Sequence, residues 1–173
     1  MSKLNMAEVA KRLDPSNICL TIADMTAEDA PLCYANAAFL EQTGFTTAEV
    51  IGRNCRFLQD DLENEAARAQ VRQALANARS TQAVFRNRRK DGTIFDNLVV
   101  LEPLTGASDE LLYVVGSQFV LDRSATQAKA SAAGDQIAQD IDRLLALNER
   151  LRGTSRQALA RSMAAAVKLW LER

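Results

Sequence analysis

Apolar residues recur with period two along five stretches of the chain and at helical spacing along several others, and the order of these stretches predicts a fold class. ICLTIA (18–23) and PLCYA (31–35) read as short strands separated by a polar turn. TQAVFRNRR (81–89), TIFDNLVVLEPL (93–104) and LLYVVGSQFVL (111–121) read as longer strands, the first two joined through Lys90-Asp91-Gly92, a hairpin signal. Between the two sets, Asn36 is placed to cap the helix AAFLEQT, and Thr46 with Glu49 makes a capping box for the turn TAEVI, which ends at Gly52. Ala67, Val71, Ala74, Leu75 and Ala78 stripe a helix over 63–78 whose other face carries Arg68, Arg72 and Gln73. Residues 2–13 predict a short amphipathic helix closed by Asp14-Pro15. Two strands, several short helices and three strands imply an α+β fold, a five-stranded antiparallel sheet with helices on one face.

Past Asp122 the bulky apolar residues thin out in RSATQAKASAAGDQ, a linker or weakly held helix. Ile137, Ile141, Leu144, Leu145 and Leu151 then stripe one helix, Gly153 breaks it, and Leu159, Met163, Val167 and Trp170 stripe a second, opened by a capping box at Thr154 and Gln157. The expected organisation is an N-terminal helical cap (1–16), a core (17–122) and a C-terminal linker with two helices (123–173). A core of this size offers little surface of its own to three amphipathic helices, so a homodimer through the N- and C-terminal helices is expected.

Composition narrows the function. The net charge of -1 gives no long-range attraction to nucleic acid, and the last helix pair lacks the dense basic face and third helix of a DNA-binding unit. No apolar run approaches the roughly 20 residues of a membrane span and the start shows no signal-peptide core, so a cytoplasmic protein is expected. Cys19, Cys33 and Cys55 have neither CxxC spacing nor histidine company, which argues against disulfide scaffolds and metal sites. Histidine is absent, which removes the usual neutral-pH base and any Ser/His triad.

The candidate chemistry centres on GRNCRFLQ (52–59), where Asn54 and Gln59 flank Cys55. Asn87, Asn97 and Gln118 interrupt apolar stretches on the three long strands, and buried amides need partners for up to four hydrogen bonds each. A flavin's pyrimidine edge, with carbonyl acceptors around an N–H donor, is a ligand that such amides match at every point. Arg56 and Arg72 could together hold a terminal phosphate through charge-assisted forks. Cys19 and Cys33, both within apolar strands, read as inert small hydrophobes.

The sequence strongly resembles the LOV (light, oxygen, voltage) domains, the flavin-binding blue-light members of the PAS superfamily. The resemblance runs from about Ile18 to Val120, through YANAAFLEQTGFTTAEVIGRNCRFLQ, the Asn of FRNRRKDG, the Asn of FDNLVVLEP and the Gln of YVVGSQF. It implies a PAS fold holding FMN noncovalently in the dark, with Cys55 as the residue that bonds flavin C4a. It also assigns Asn54 to the ribityl chain, Arg56 and Arg72 to the phosphate, and Gln59, Asn87, Asn97 and Gln118 to the ring edge. Thr21, Ala23, Val71, Leu75, Val99, Leu101, Val114 and Gly116 would form the apolar wall. An unactivated thiol has a pKa near 8.5, so Cys55 should be inert until light makes the flavin a stronger oxidant with a more basic N5. Gln118 would then exchange the amide group that it presents to N5, passing the change to the C-terminal helices.

Asp96 and Arg88 depart from the family's aromatics, but strand alternation turns both away from the amide-bearing face; Val114 is smaller than the Phe common there. With no kinase signature and no dinucleotide loop, the resemblance implies a photoreceptor and not an enzyme, acting on an unidentified protein partner. A flavin redox enzyme and a PAS interaction module without flavin are the alternatives.

Overall fold

The computed structural model describes residues 4–106, 108–121, 158, 160–165 and 167–168. Five strands, β1 (Cys19–Asp24), β2 (Leu32–Ala35), β3 (Thr81–Arg88), β4 (Ile94–Thr105) and β5 (Leu111–Leu121), form one antiparallel sheet in the order β2-β1-β5-β4-β3. The last strand is therefore the central one. Thr21 lies opposite Gly116, which lies opposite Leu101, and Cys19 lies opposite Gln118, which lies opposite Val99.

Helices α2 (Ala37–Thr43), α3 (Thr47–Val50) and α4 (Glu65–Ala76), with a single 3-10 turn at Cys55–Leu58, are associated with the inner face. Their starts are set by side chains. Asn36 accepts from the N–H groups of Phe39 and Leu20, and donates to the Ile18 carbonyl at 2.8 Å, so one buried amide caps α2 and pins it to β1. Glu49 reaches back to the Thr46 N–H at 2.9 Å and completes the capping box. Gly44, at φ 77°, closes α2 in the left-handed conformation that favours glycine. Phe39, Val50, Leu58 and Leu32 make the small core beneath these helices.

Three successive basic residues fasten the β3–β4 hairpin to this layer. Arg88 pairs with Asp61 at 2.7 Å and Asp60 at 3.3 Å, Arg89 donates to the Gln42 carbonyl, and Lys90 pairs with Glu49 at 2.7 Å. Arg88 thus lies away from the amide face, as alternation requires, and meets two acidic residues just past the cysteine motif. Both sheet edges are engaged: Asn64 bonds the N–H and carbonyl of Arg86 on β3, and the 52–53 backbone bonds both groups of Leu32 on β2.

The outer face holds the larger core. Leu20, Ile22, Tyr34, Leu104, Tyr113 and Val115 from the sheet pack with Leu4, Val9 and Leu13 around α1 (Met6–Leu13) and with Ala164 and Val167 of the C-terminal helical residues. α1 begins later than its apolar stripe suggests because Asn5 caps it, accepting from the N–H groups of Ala7 and Glu8. Full burial of Val9 and Leu13 stabilises its docking by about 1.5–3 kcal/mol each. Within the described residues, the stripes of α1 and of Met163 and Val167 are covered by the chain's own sheet, so the little surface expected to be spare is enough to receive these two. The stripe over 137–151, with Leu159 and Trp170, lies outside the described residues.

Candidate functional site

A cavity of about 460 Å3, within the range of small-molecule sites, opens between the inner face of the sheet, the 3-10 turn and α4. Every site residue named from the sequence lines it: Thr21 and Ala23 from β1; Asn54, Cys55, Arg56 and Gln59 around the 3-10 turn; Val71, Arg72 and Leu75 from α4; Asn87 from β3; Asn97, Val99 and Leu101 from β4; and Val114, Gly116 and Gln118 from β5. None of the residues of α4 is fully buried, because its inward side borders this space. A wider surface groove beside α2 and Arg89–Asp91 contains no buried unpartnered polar atom among the described residues.

The walls follow from strand alternation and one close approach. A Cβ at Gly116 would stand 2.7 Å from Thr21 Oγ1 and 3.5 Å from Leu101 Cδ2, so glycine lets β1 and β4 side chains close over the central strand. At the polar end, Asn97 Nδ2 donates to Gln118 Oε1 at 2.9 Å, and Gln118 Nε2 donates to Thr21 Oγ1 at 3.4 Å. That orientation leaves Asn97 Oδ1, in a residue 2% exposed, with no partner; Asn87 Oδ1, in a residue 3% exposed, has none either. Orphaned buried acceptors cost about 1–3 kcal/mol each, and both belong to residues that line the cavity.

Cys55 sits at the first position of the 3-10 turn, which Asn54 caps by accepting from the Arg56 N–H at 3.0 Å. Asn54 Nδ2 also donates to the Asp29 carbonyl at 2.6 Å, fixing the loop before β2 over the cavity's mouth. Burial pushes the Cys55 thiol up to about 12; its remaining exposure is toward the cavity that it lines. Desolvation, reinforced by Asp24, pushes Cys33 up to about 11, and it raises Cys19 as well; these thiols donate to the carbonyls of Ile22 and Ala38. Arg56 pairs with Asp29, and Arg72 with Glu65 at 2.7 Å, all four more than half exposed, so an incoming anion competes with two carboxylates.

Sequence reasoning missed several lining residues, notably Phe85 and Arg68. Phe85 stands two residues before Asn87 and so shares its face of β3. Arg68, expected on the outward face with Arg72 and Gln73, is half-buried on the cavity side, three residues before Val71 and seven before Leu75, and donates to Gln59 Oε1 at 2.6 Å.

A PAS domain model matches residues 17–119. The crystal structure of a Rhodobacter sphaeroides LOV protein is 39% identical, with a TM-score of 0.69, and the alignment covers 100% of this chain and 99% of that one. The chain is a LOV domain of the PAS superfamily. A blue-light-activated histidine kinase 2 of Erythrobacter litoralis is 35% identical over 120 residues, 69% of this chain and 35% of the kinase. An RNA-binding light-oxygen-voltage receptor is 37% identical with a TM-score of 0.63, the match covering 68% of this chain and 33% of that receptor. The LOV chain thus spans about a third of the length of the first curated relatives that it matches.

The residues present in this LOV core fit a flavin. The cavity combines an apolar wall from Val71, Leu75, Val99, Leu101 and Val114 with an amide cluster carrying two unsatisfied acceptors, and it has arginines at its rim. No cluster able to hold a metal ion occurs among the described residues. No helix among them is long and apolar enough to cross a membrane.

Proposed function

We propose that this LOV protein is a blue-light photoreceptor that binds FMN and reports illumination through a reversible covalent bond at Cys55. The single observation that carries the reading is the placement of the half-buried Cys55 thiol on the wall of the same cavity as two buried amide oxygens, of Asn87 and Asn97, that have no hydrogen-bond partner. When bound, the flavin supplies light absorption, the carbon that accepts sulfur and the nitrogen that accepts the thiol proton. The chain's own residues do the rest. Asn54 and the 3-10 turn hold the thiol at the wall, burial keeps it protonated in the dark, and no base is required. Asn87 and Asn97 would present their free oxygens to the ring's single N–H, and Arg56 and Arg72 would exchange their carboxylate partners for the phosphate.

Gln118 is the switch in this proposal. It lies on the central strand, and its orientation is coupled to Asn97 and Thr21, so a reversal of its amide on illumination would break a defined bond. The same strand carries Tyr113 and Val115 on its outer face, packed in one core with α1, Ala164 and Val167. Output through altered packing there, and through homodimer affinity, follows. Val84, paired in register with Leu98 on the outer face, is exposed and offers a second copy an apolar contact at that edge of the sheet. The role is sensory and not enzymatic, with a downstream protein partner in the cytoplasm.

Purified protein tests this directly. Yellow colour with reversible bleaching under blue light supports the photoreceptor; steady NAD(P)H turnover would make it a redox enzyme, and a colourless protein that takes up no flavin would make it an interaction module. A coupling of about 1–3 kcal/mol between adduct and interface shifts a dimer equilibrium visibly near its Kd, so identical elution in dark and light across a dilution series removes the dimer output.

A further inference from the structure

Arg68 is the cavity residue that neither the amide cluster nor a phosphate clamp accounts for. It is half-buried, one helical turn before Arg72, and its Nε donates to Gln59 Oε1 at 2.6 Å. Arg56 and Arg72 each face a carboxylate, whereas the polar partner of Arg68 among the described residues is this neutral amide. Gln59 is 9% exposed and ends the turn that carries Cys55, so its amide occupies a fixed point of the wall.

A guanidinium only donates. Gln59 must therefore turn its oxygen to Arg68, which leaves its NH2 for other partners, and no hydrogen bond from that NH2 is made among the described residues. Without such a neighbour a glutamine can rotate by half a turn and offer either group. We propose that Arg68 is a positioning residue that locks the Gln59 amide with its NH2 toward the cavity, so that Gln59 reads a carbonyl oxygen of the ligand ring. This deepens the flavin reading and rests on it: the pyrimidine edge presents carbonyl oxygens on either side of one N–H, and Gln59 is committed to a carbonyl while Asn87 and Asn97 hold the free acceptors. The positive charge behind the amide also polarises it, strengthening the bond that it donates.

The test uses Arg68→Leu, Arg68→Lys, Gln59→Leu and the Arg68→Leu/Gln59→Leu double variant, each titrated with riboflavin and with FMN. Arg68→Leu should weaken both flavins by the same factor, about tenfold, and the double variant should bind as Gln59→Leu alone does. Arg68→Lys should recover part of the loss, and the infrared carbonyl stretches of bound flavin should shift alike in Arg68→Leu and Gln59→Leu. A loss confined to FMN makes Arg68 a phosphate contact and overturns the proposal, as do additive losses or no loss. Exchange of the Arg68 Nε–H, read by NMR in the wild-type protein, keeps the question independent of whether a variant folds. Slow exchange is expected. Rapid exchange in flavin-loaded protein overturns the positioning role alone, whereas a wild-type protein that protects this hydrogen and yet takes up neither flavin overturns the photoreceptor reading and this inference with it.

Discussion

Asn97 and Gln118, on neighbouring strands, share a buried hydrogen bond of 2.9 Å in which Asn97 donates and Gln118 accepts. Only this one bond joins the two amides, so turning either of them over would set donor against donor or acceptor against acceptor, and a change of orientation at one is felt by the other.

Gln118→Leu removes the acceptor and leaves Asn97 Nδ2 buried without it, at a cost of about 1–3 kcal/mol. The variant should still form the covalent photoproduct, because Cys55 is untouched, but light should no longer change hydrogen exchange in α1 or around Ala164 and Val167. An unchanged light response there removes Gln118 from the signalling route.

Gly116→Ala places a methyl group 2.7 Å from Thr21 Oγ1, closer than Cβ contacts occur. The strand must shift or Thr21 must rotate, and overpacking of this kind costs about 1–3 kcal/mol. Thermal unfolding should show the loss, and Thr21→Ala in the same background should restore part of it; equal melting of Gly116→Ala and wild type contradicts the close approach.

The pH dependence of Cys55 has a definite sign. Its folded pKa is raised from 9.0 to about 12, so the thiol is neutral through the physiological range, and the preference of the fold for the neutral form is fully present below pH 9. That stability declines as pH rises from 9 toward 12. Photoproduct yield should be flat from pH 6 to about 9, and alkaline unfolding of wild type should exceed that of Cys55→Ala, a comparison that cancels the raised thiols of Cys19 and Cys33. A yield that climbs through pH 8 indicates a thiolate nucleophile instead.

Arg161 reaches Glu102 at 3.7 Å, joining the C-terminal helical residues to the outer face of β4, where Glu102 also receives a hydrogen bond from Ser80. Arg161→Glu should loosen that helical segment, read as faster proteolysis near residue 160, and leave flavin uptake unchanged because the cavity lies on the opposite face. Undiminished protection in this variant shows that packing by Ala164 and Val167 alone holds the segment.

Much of this architecture is legible in the chain. Asn36, the Thr46–Glu49 box and the Lys90-Asp91-Gly92 turn declare element boundaries through local chemistry, and the amides stand out because they interrupt apolar strands. What escapes is relational. Arg68 is assigned outward when its charge is weighed above its helical phase, since nothing local announces that Gln59 waits across the turn. The docking of α1 is missed when its stripe is taken to need another chain. The buried run from Tyr113 to Gln118 shows that β5 is covered on both faces, and double-faced burial is what receives the flanking helices.

The light-minus-dark absorption spectrum of flavin-loaded Cys55→Ala bears most directly on the photochemistry. The variant should bind flavin with the wild-type dark spectrum and show no lasting loss of the blue band, whereas wild type loses that band on illumination and regains it in darkness. A long-lived photoproduct with the wild-type spectrum in Cys55→Ala would contradict the assignment of the sulfur at residue 55 as the bonding atom.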